Sequence, residues 1–188
     1  MNVYDFDNTI YSGESTVDFY FFVLKDNPKL LYLFPKMIYM LMRYKLCLIT
    51  ENELMSEAEK YAAEFLNKLD IDSLVIDFWD KNQHKIKDFY FKNKFDDDVI
   101  LSAAPDFLVN EICKRLSINN VISSNIDRNT GKIKQLCFRN NKVAIFKQHY
   151  PVTRIDEFYT DSMNDSPMFE LAEKVYIVKG NKIKELKV

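Results

Sequence analysis

The chain has 188 residues, of which 26 are basic and 28 acidic, and its formal net charge is −2 at pH 7. This balance argues against a protein that binds nucleic acid through charge, because such proteins carry a marked basic excess. Apolar residues make up 47% of the chain, enough for a sizeable core in one large domain or in a core with a smaller insert. The cysteines, Cys47, Cys113 and Cys137, are too widely spaced to suggest a zinc site. We expect them to be reduced core residues of a cytoplasmic protein.

The first predicted element is a short buried strand over residues 2–6, and polar side chains follow it. Asp5 and Asp7 flank Phe6, and Thr9 comes two residues later. Acids at these positions do not fit the apolar segment of a secretory signal peptide. A solvated turn would explain the two carboxylates, and so would a site that gathers carboxylates around a cation.

A helical stretch follows, from about residue 13 to residue 90. In "KDNPKLLYLFPKMIYMLMRYKL", Pro28 suits the first turn of a helix, and Pro35 should kink that helix or start a second one. The segment "TENELMSEAEKYAAEFLNKL" is a stronger helix prediction, because Thr50 and Glu53 can form a capping box and apolar residues repeat at helical spacing. The segment "IDSLVIDFWDKNQHKIKDFYF" continues the helical pattern.

Strands and helices alternate in the rest of the chain. The pattern predicts a buried strand in "DDDVILSAAP" that ends at Ser102, a helix in "PDFLVNEICKRL", a strand in "NNVISSNI", and a turn and strand around Gly131. It then predicts a short helix in "NNKVAIFKQHY", a strand running into an acidic loop in "DEFYTDSMND", a helix in "SPMFELAEK", and final strands in "KVYIV" and "KIKEL". This alternation indicates an α/β fold with a parallel sheet and helices on its faces. The helical stretch is then an insert after the first strand.

Polar clusters follow three of the predicted strands. Ligands of parallel α/β sheets bind beyond the carboxyl ends of the strands, so carboxylates there would converge and raise each other's pKa. Mg²⁺ would relieve the repulsion, since it prefers carboxylate oxygens and often shares its shell with phosphate. A cation and a phosphate together suggest phosphoryl transfer, with an aspartate as the nucleophile. The residues of these clusters are Asp5, Asp7, Thr9, Ser102, Asp161 and Asp165.

Taken singly, each of these residues has an ordinary structural explanation. Ser102 and Asp165 are suitable helix caps, and Lys142, which could hold phosphate oxygens, would alone suggest a surface lysine. His84 and His149 are isolated, which favours surface or core side chains over catalytic ones. The order, spacing and shared placement of the polar residues at strand ends favour a site.

The motifs resemble those of the haloacid dehalogenase (HAD) superfamily, in particular its phosphoserine-phosphatase-like branch. "YDFDNTI" is similar to the first motif of that family, "VILSAAP" to the second, "NNKVAIF" to the third and "YTDSMNDSP" to the fourth. The resemblance spans essentially the whole chain and implies a Rossmann-like catalytic core over 1–12 and 91–188, with a helical cap over 13–90. Thr160 stands where the family usually has glycine, and "FRNN" replaces another usual glycine, which bears on loop geometry more than on chemistry.

The resemblance also implies roles for the motif residues in a Mg²⁺-dependent phosphomonoester phosphatase. Asp5 would be the nucleophile that forms an aspartyl-phosphate, and Asp7 would be the general acid and then the general base. Thr9, Ser102 and Lys142 would bind the phosphoryl group. The implied metal site comprises the carboxylate of Asp5, the main-chain carbonyl of Asp7, Asp161 and, in a supporting position, Asp165.

Three further positions have alternative explanations. Lys147, five residues after Lys142, is a rival for the phosphate-binding role. Glu14 stands where phosphoserine phosphatases have an acid that meets the substrate ammonium, although it is equally consistent with an exposed hinge residue. Arg43 could offer a guanidinium to a substrate carboxylate, but its spacing from Lys29 and Lys36 favours a solvated face.

The expected substrate is a small phosphate ester such as a phosphoserine-like compound. Transfer to an acceptor other than water, or hydrolysis of a phospholipid head group, is the alternative, and a catalytically silent binding protein on the same fold is the alternative of another class. A carbon–halogen hydrolase is disfavoured, because the resemblance implies that such enzymes lack the acid at position 7.

The segment 30–48 is very apolar, and its prolines and basic residues argue against a membrane-spanning helix. A basic amphipathic helix of this kind can lie on an anionic membrane surface. We prefer the simpler explanation, a cap helix that packs on its neighbour.

Overall fold

Seven strands in the described part of the chain form one sheet. The structure, a computed structural model, describes residues 1–67, 69–151 and 154–186; Lys68, at the end of a segment predicted as helix, lies outside these ranges. The strands are β1 (Asn2–Tyr4), β2 (Val99–Pro105), β3 (Asn120–Ile126), β4 (Ile133–Gln135), β5 (Ile155–Thr160), β6 (Ala172–Lys179) and β7 (Lys182–Leu186). Their order across the sheet is β4-β3-β2-β1-β5-β6-β7.

The short strand β1 is at the centre of the sheet, between β2 and β5. Val3 is level with Val99 on one side and with Phe158 on the other, and both pairings are parallel. Pairings β2–β3 and β5–β6 are parallel as well, whereas β4 and β7 run antiparallel at the two edges. The predicted α/β fold with a parallel sheet is confirmed. Since β1, β2 and β5 are neighbours that run the same way, the residues after their carboxyl ends share one edge.

Seven α-helices of the described residues connect these strands. They are α1 (Ser15–Leu24), α2 (Leu33–Lys45), α3 (Glu51–Leu66), α4 (Ile71–Asn82), α5 (Asp88–Asn93), α6 (Asp106–Arg115) and α7 (Asn140–His149). Three 3₁₀ helices cover Pro28–Tyr32, Gln83–Lys85 and Met163–Leu171. Helices α1 to α5 all lie between β1 and β2 in the chain, as an insert would. The division into a core over 1–12 and 91–188 and a cap over 13–90 stays a prediction.

Local sequence signals account for some helix boundaries, such as the start of α3. The Thr50 hydroxyl accepts a hydrogen bond from the main-chain N–H of Glu53, whose side chain accepts one from the N–H of Thr50, which confirms the capping box at α3. Pro35 stands in the first turn of α2, the second helix that it was expected to start. The segment "SPMFELAEK" differs from its prediction: it belongs to a 3₁₀ helix and then to β6, and Pro167 within it has no N–H to donate to an α-helix.

Apolar side chains fill both faces of the sheet. Val3 and Leu101 belong to one buried cluster, with residues of α7, and Tyr4 and Ile100 to the other, with residues of α1, α4 and α6, because successive strand residues point to opposite faces. Fully buried Trp79 donates its indole N–H to the carbonyl of Leu108 at 2.8 Å, which joins α4 of the insert to α6.

The exposure of the cysteines matches the prediction from the sequence only in part. Cys113 and Cys137 are free and buried, as expected, but Cys47 is exposed. The prediction of a core residue is therefore wrong for Cys47, which stands at a positive φ of 56° in the turn after α2. His84 and His149 are exposed. Within the described ranges, no helix is both long enough and apolar enough to cross a membrane.

Candidate active site

The loop after β1 holds two acids on a tight, well-anchored turn. The N–H of Asp5 donates to the carbonyl of Tyr159, and three successive N–H groups, those of residues 9–11, point to the carbonyl of Phe6. The Phe6 ring is fully buried, where it stacks on Tyr11 and meets Trp79 edge-on. Phe6, which stands between the two acids, therefore anchors the turn in the core.

A buried lysine joins the first, third and fourth motifs. Lys142, at 2% exposure, places its ammonium 2.8 Å from Asp5 Oδ1 and 2.9 Å from Asp165 Oδ2. The hydroxyl of Thr9 donates to Asp5 Oδ2 at 3.1 Å, and that of Thr160 donates to Asp165 Oδ2 at 2.9 Å. Each carboxylate therefore has one cationic and one neutral donor, and the three charged groups together keep one net negative charge.

The electrostatics of this group follow from burial and from mutual repulsion. Burial raises the pKa of Asp5, the Lys142 ammonium opposes that rise, and the charges of Asp165 and Asp161 add to it. Burial by itself would lower the pKa of Lys142, but the two adjacent carboxylates outweigh it and raise that pKa. Lys142 is therefore held in its charged form.

Asp7 faces the amino-terminal end of α1. Its Oδ1 accepts a hydrogen bond of 2.7 Å from the main-chain N–H of Ser15, the first residue of that helix. Burial raises the pKa of Asp7 to about 7, the bonds from Ser15 oppose the rise, and the charges of Asp5 and Glu14 add to it. A carboxyl group with such a pKa can hold or release a proton near neutral pH, as a general acid or base must.

Ser102 and Asp161 belong to the two strands that flank β1 or follow them directly. Ser102 lies within β2, which continues to Pro105, so the prediction that this strand ends at Ser102 is wrong, and Asp161 directly follows β5. Tyr4 is level with Ile100 and with Tyr159, so Ser102 and Asp161 both lie two residues further along, level with the start of the acidic loop. Ser102 is buried, and its hydroxyl accepts a hydrogen bond of 3.1 Å from the N–H of Ala104.

Asp161 adds a further carboxylate to this edge. Burial raises its pKa, Lys179 opposes the rise, and the charge of Asp165 adds to it. None of the ion pairs formed among the described residues involves Asp161. Its charge in turn raises the pKa of Asp5, so the edge carries a surplus of negative charge.

The ligand atoms available at this edge are of the type that a hard cation prefers. The carboxylates of Asp5 and Asp161 and the carbonyl of Asp7 are all oxygen donors, which Mg²⁺ prefers. Within the described ranges, however, no three Asp, Glu, His or Cys side chains are already grouped as a metal site. The reason at Asp5 and Asp165 is the ammonium of Lys142, which stands between them.

The three remaining sequence candidates have different surroundings. Glu14 is exposed and accepts a hydrogen bond of 2.6 Å from the side chain of Asn8, inside the acidic loop. Arg43 pairs with Glu57 at 2.9 Å on the α2–α3 contact, so its guanidinium is already engaged. Lys147 is exposed on α7, in contrast to Lys142.

Sequence reasoning missed Lys87. This lysine is buried, its ammonium donates to the main-chain carbonyl of Asn8, and its N–H donates to the carbonyl of Ile10 at 2.8 Å. Burial lowers its pKa, and the charge of Asp161 opposes that shift. It supports the acidic loop from the insert side, and nothing in the local pattern distinguishes it from the lysines around it.

Comparison with known proteins gives both a family match and a fold match. A model of the family described as haloacid dehalogenase-like hydrolase matches residues 3–170. A structure of a protein with unknown function from Bordetella pertussis Tohama I is 17% identical, with a TM-score of 0.72 over 93% of this chain and 87% of that one. A search of curated proteins found no match.

Two further structures share the fold. A phosphoserine phosphohydrolase-like protein from Francisella tularensis subsp. tularensis SCHU S4 is 17% identical, with a TM-score of 0.57 over 93% of this chain and 86% of that one. A phospho-aspartyl intermediate analogue of phosphoserine phosphatase is 15% identical, with a TM-score of 0.56 over 92% of this chain and 83% of that one.

Proposed function

The chain belongs to the haloacid dehalogenase-like hydrolase family, and from this membership we propose that it is a Mg²⁺-dependent phosphomonoester phosphatase that works through an aspartyl-phosphate. The family and the enzyme class predicted from the four motifs are confirmed. The observation that supports the finer proposal is the buried contact of Lys142 with Asp5 and Asp165, with Asp7 two residues away. It joins a carboxylate nucleophile, a cation for phosphoryl oxygens and a proton carrier at one sheet edge.

In the first step a carboxylate oxygen of Asp5 attacks phosphorus, and the bond from phosphorus to the ester oxygen breaks. Lys142 opposes the burial that raises the pKa of Asp5 and, with Ser102 and Thr9, offers donors to the phosphoryl oxygens. Asp7 gives its proton to the leaving alkoxide. In the second step Asp7 takes a proton from the water that attacks the aspartyl-phosphate, which restores Asp5 and releases phosphate.

The carboxylates of Asp5 and Asp161 and the main-chain carbonyl of Asp7 would hold Mg²⁺, and Asp165 would support the site through its contact with Lys142. When bound, the ion supplies positive charge that offsets the charge of the phosphoryl group. The surplus negative charge around Asp161 supports this assignment.

Helices α1 to α5 would act as the cap that excludes water and selects the substrate. Contacts between the insert and the acidic loop support this role, since the N–H of Ser12 donates to the carbonyl of Lys85 at 2.9 Å and the N–H of Lys87 donates to the carbonyl of Ile10. The substrate expected from the motifs is a small phosphate ester, phosphoserine-like in the simplest case. Transfer to another acceptor and a silent binding role are the competing proposals.

The test is hydrolysis of an aryl phosphate with Mg²⁺ by Asp5→Asn and by a matched control, Asp88→Asn, which changes an exposed acid of α5. We expect phosphate release to fall to background in Asp5→Asn and in wild type treated with EDTA, and to be unchanged in the control. Full turnover in Asp5→Asn would exclude this nucleophile. Phosphate release that drops when an alcohol is added, with a matching gain of alkyl phosphate, would indicate transfer instead of hydrolysis.

A further inference from the structure

An apolar cavity of about 200 Å³ lies between the helices of the insert and the β2–α6 corner. Thr16 of α1, Met37 of α2, Ala62 of α3 and Phe107 of α6 are among its walls. The described residues that line it include no charged side chain. Residues of the predicted cap and residues of the predicted core both line it, as expected for a site that a cap closes.

Two residues that line the cavity each follow directly, in the sequence, a residue that hydrogen-bonds within the candidate active site. Ser15 donates its N–H to Asp7, and the next residue, Thr16, lines the cavity. Ala104 donates its N–H to Ser102, and the next residue, Pro105, lines it as well. Neighbouring Cα atoms are about 3.8 Å apart, so two parts of the cavity wall are joined directly to residues that hydrogen-bond within the candidate active site.

These walls do not suit an amino-acid substrate. A buried ammonium or carboxylate needs a charged or hydrogen-bonding partner. Arg43 is paired with Glu57 and Glu14 accepts from Asn8, and neither residue lines the cavity. A hydrocarbon group needs no such partner.

We propose that the substrate is the phosphate monoester of an apolar alcohol, whose hydrocarbon part occupies this cavity. The inference rests on the proposed phosphatase function and replaces the phosphoserine-like expectation. An apolar cavity of about 150 Å³ binds benzene, so this one has room for a chain of roughly six to eight carbons.

The test uses ethyl, butyl, hexyl and octyl phosphate with Mg²⁺, since their leaving groups differ in length and hardly in chemistry. We expect kcat/KM to rise about fourfold for each methylene that is buried and to level off when the cavity is full, and O-phosphoserine to fall below butyl phosphate. Ala62→Leu fills the cavity from α3 and should lower the octyl-to-ethyl ratio of kcat/KM. Ser56→Leu, at an exposed position of the same helix, should leave that ratio unchanged.

The outcomes separate this inference from the function on which it rests. Hydrolysis of no ester by a folded wild-type protein overturns the phosphatase itself. Hydrolysis with a flat dependence on chain length, a preference for O-phosphoserine, or an unchanged ratio in a folded Ala62→Leu variant overturns the apolar substrate alone. Circular dichroism confirms the fold of each variant.

A second observation, independent of the cavity, is an apolar surface on the 3₁₀ helix at Pro28–Tyr32, on α2 and on the turn that follows. We name it the α2 surface. Six of its side chains are each more than half exposed, an arrangement that usually marks a binding site in a soluble domain. They are Leu31, Tyr39, Leu41, Met42, Leu46 and Leu48.

The charged side chains of this segment are all basic. Residues 27–50 contain four basic side chains and no acid, in a chain whose net charge is −2. Lys29, Lys36 and Lys45 are exposed beside the apolar side chains. The geometry points to an anionic lipid surface as the occupant, because such a surface attracts the cations and takes up the apolar side chains at its headgroup boundary. The packed cap helix that the sequence favoured leaves this face uncovered.

The test is sedimentation with phosphatidylcholine vesicles, with and without one-third phosphatidylglycerol. We expect binding to the anionic vesicles only, weakened by salt and lost in Leu41→Glu/Leu46→Glu. The control Phe91→Glu changes an exposed apolar residue of α5 and should bind as wild type does. Equal binding to both vesicle types would overturn the proposal that the α2 surface binds anionic lipid. The absence of binding, together with a dimer that the double variant dissociates, would also overturn it and would assign the α2 surface to contact with another copy of this chain.

Discussion

Replacing Lys142 by methionine removes the ammonium that stands between Asp5 and Asp165 and leaves two buried carboxylates facing each other. Removing one partner from a buried ion pair lowers the free energy of unfolding by about 3–5 kcal/mol. In a domain of this size each kcal/mol corresponds to about 2–4 °C, so we expect Tm to fall by about 6–20 °C. The matched control is Lys147→Met on the exposed side of the same helix, for which we expect no measurable change.

The loss of stability in Lys142→Met should depend on pH. Without the ammonium, which opposes the rise, burial and the charge of Asp165 raise the pKa of Asp5 further above its value in the unfolded chain. The folded state then binds more protons than the unfolded state as pH rises from the unfolded pKa to the raised folded pKa, so stability falls through that window. The difference in Tm between wild type and variant should therefore be smaller at pH 5 than at pH 8.

Thermal denaturation followed by circular dichroism, in EDTA at both pH values, measures these differences. Adding Asp165→Asn to Lys142→Met removes one of the two facing charges and should recover part of the lost stability. A fall in Tm as small as that of Lys147→Met, or a deficit that grows as pH falls, would refute the buried ion pair and with it the placement of the nucleophile.

Three other predictions follow from single contacts. In Asp7→Asn, kcat/KM should fall by about 10²–10⁴-fold for alkyl phosphates and much less for p-nitrophenyl phosphate, whose leaving group needs no proton; an equal loss for both would argue against the general acid. Burial raises the pKa of Asp98 to about 6, so between pH 3.8 and that pKa the folded state binds more protons than the unfolded state and loses stability as pH rises. In urea denaturation, Asp98→Asn should therefore be more stabilising at pH 7.5 than at pH 4, by about 1–3 kcal/mol. An effect that does not depend on pH would contradict the raised pKa. Trp79→Phe loses the hydrogen bond to Leu108 and should lower the urea midpoint by the equivalent of about 1–2 kcal/mol at unchanged m-value, whereas an unchanged midpoint would show that this contact does not hold the insert on α6.

Features that depend on a few neighbouring residues could be predicted from the sequence. The capping box at Thr50, the helix with Pro35 in its first turn and the α/β alternation are of this kind, since each is set by side chains within one or two turns or strands. The four motifs also identify the family, because their residue types recur in a fixed order along the chain.

Contacts between distant parts of the chain could not be predicted in this way. Lys142 and Lys147 lie five residues apart on the same helix, and Lys142 is buried because the strand order β2-β1-β5 brings α7 to residue 5, which is 137 positions away. The same holds for Lys87, which meets Asn8 across 79 positions, and for Arg43, whose partner Glu57 is 14 positions away on α3.

The amino-acid pattern by itself determined the family of this protein and its candidate reactive groups, because the acids of the first and fourth motifs, the hydroxyl of Ser102 and the ammonium of Lys142 are chemical identities that folding cannot alter. The tertiary structure decided which of these groups come together and which surfaces surround them. An apolar cavity between the insert and the β2–α6 corner and an uncovered basic and apolar helix surface both arise from the packing of side chains far apart in sequence, and packing depends on the shape of the whole chain.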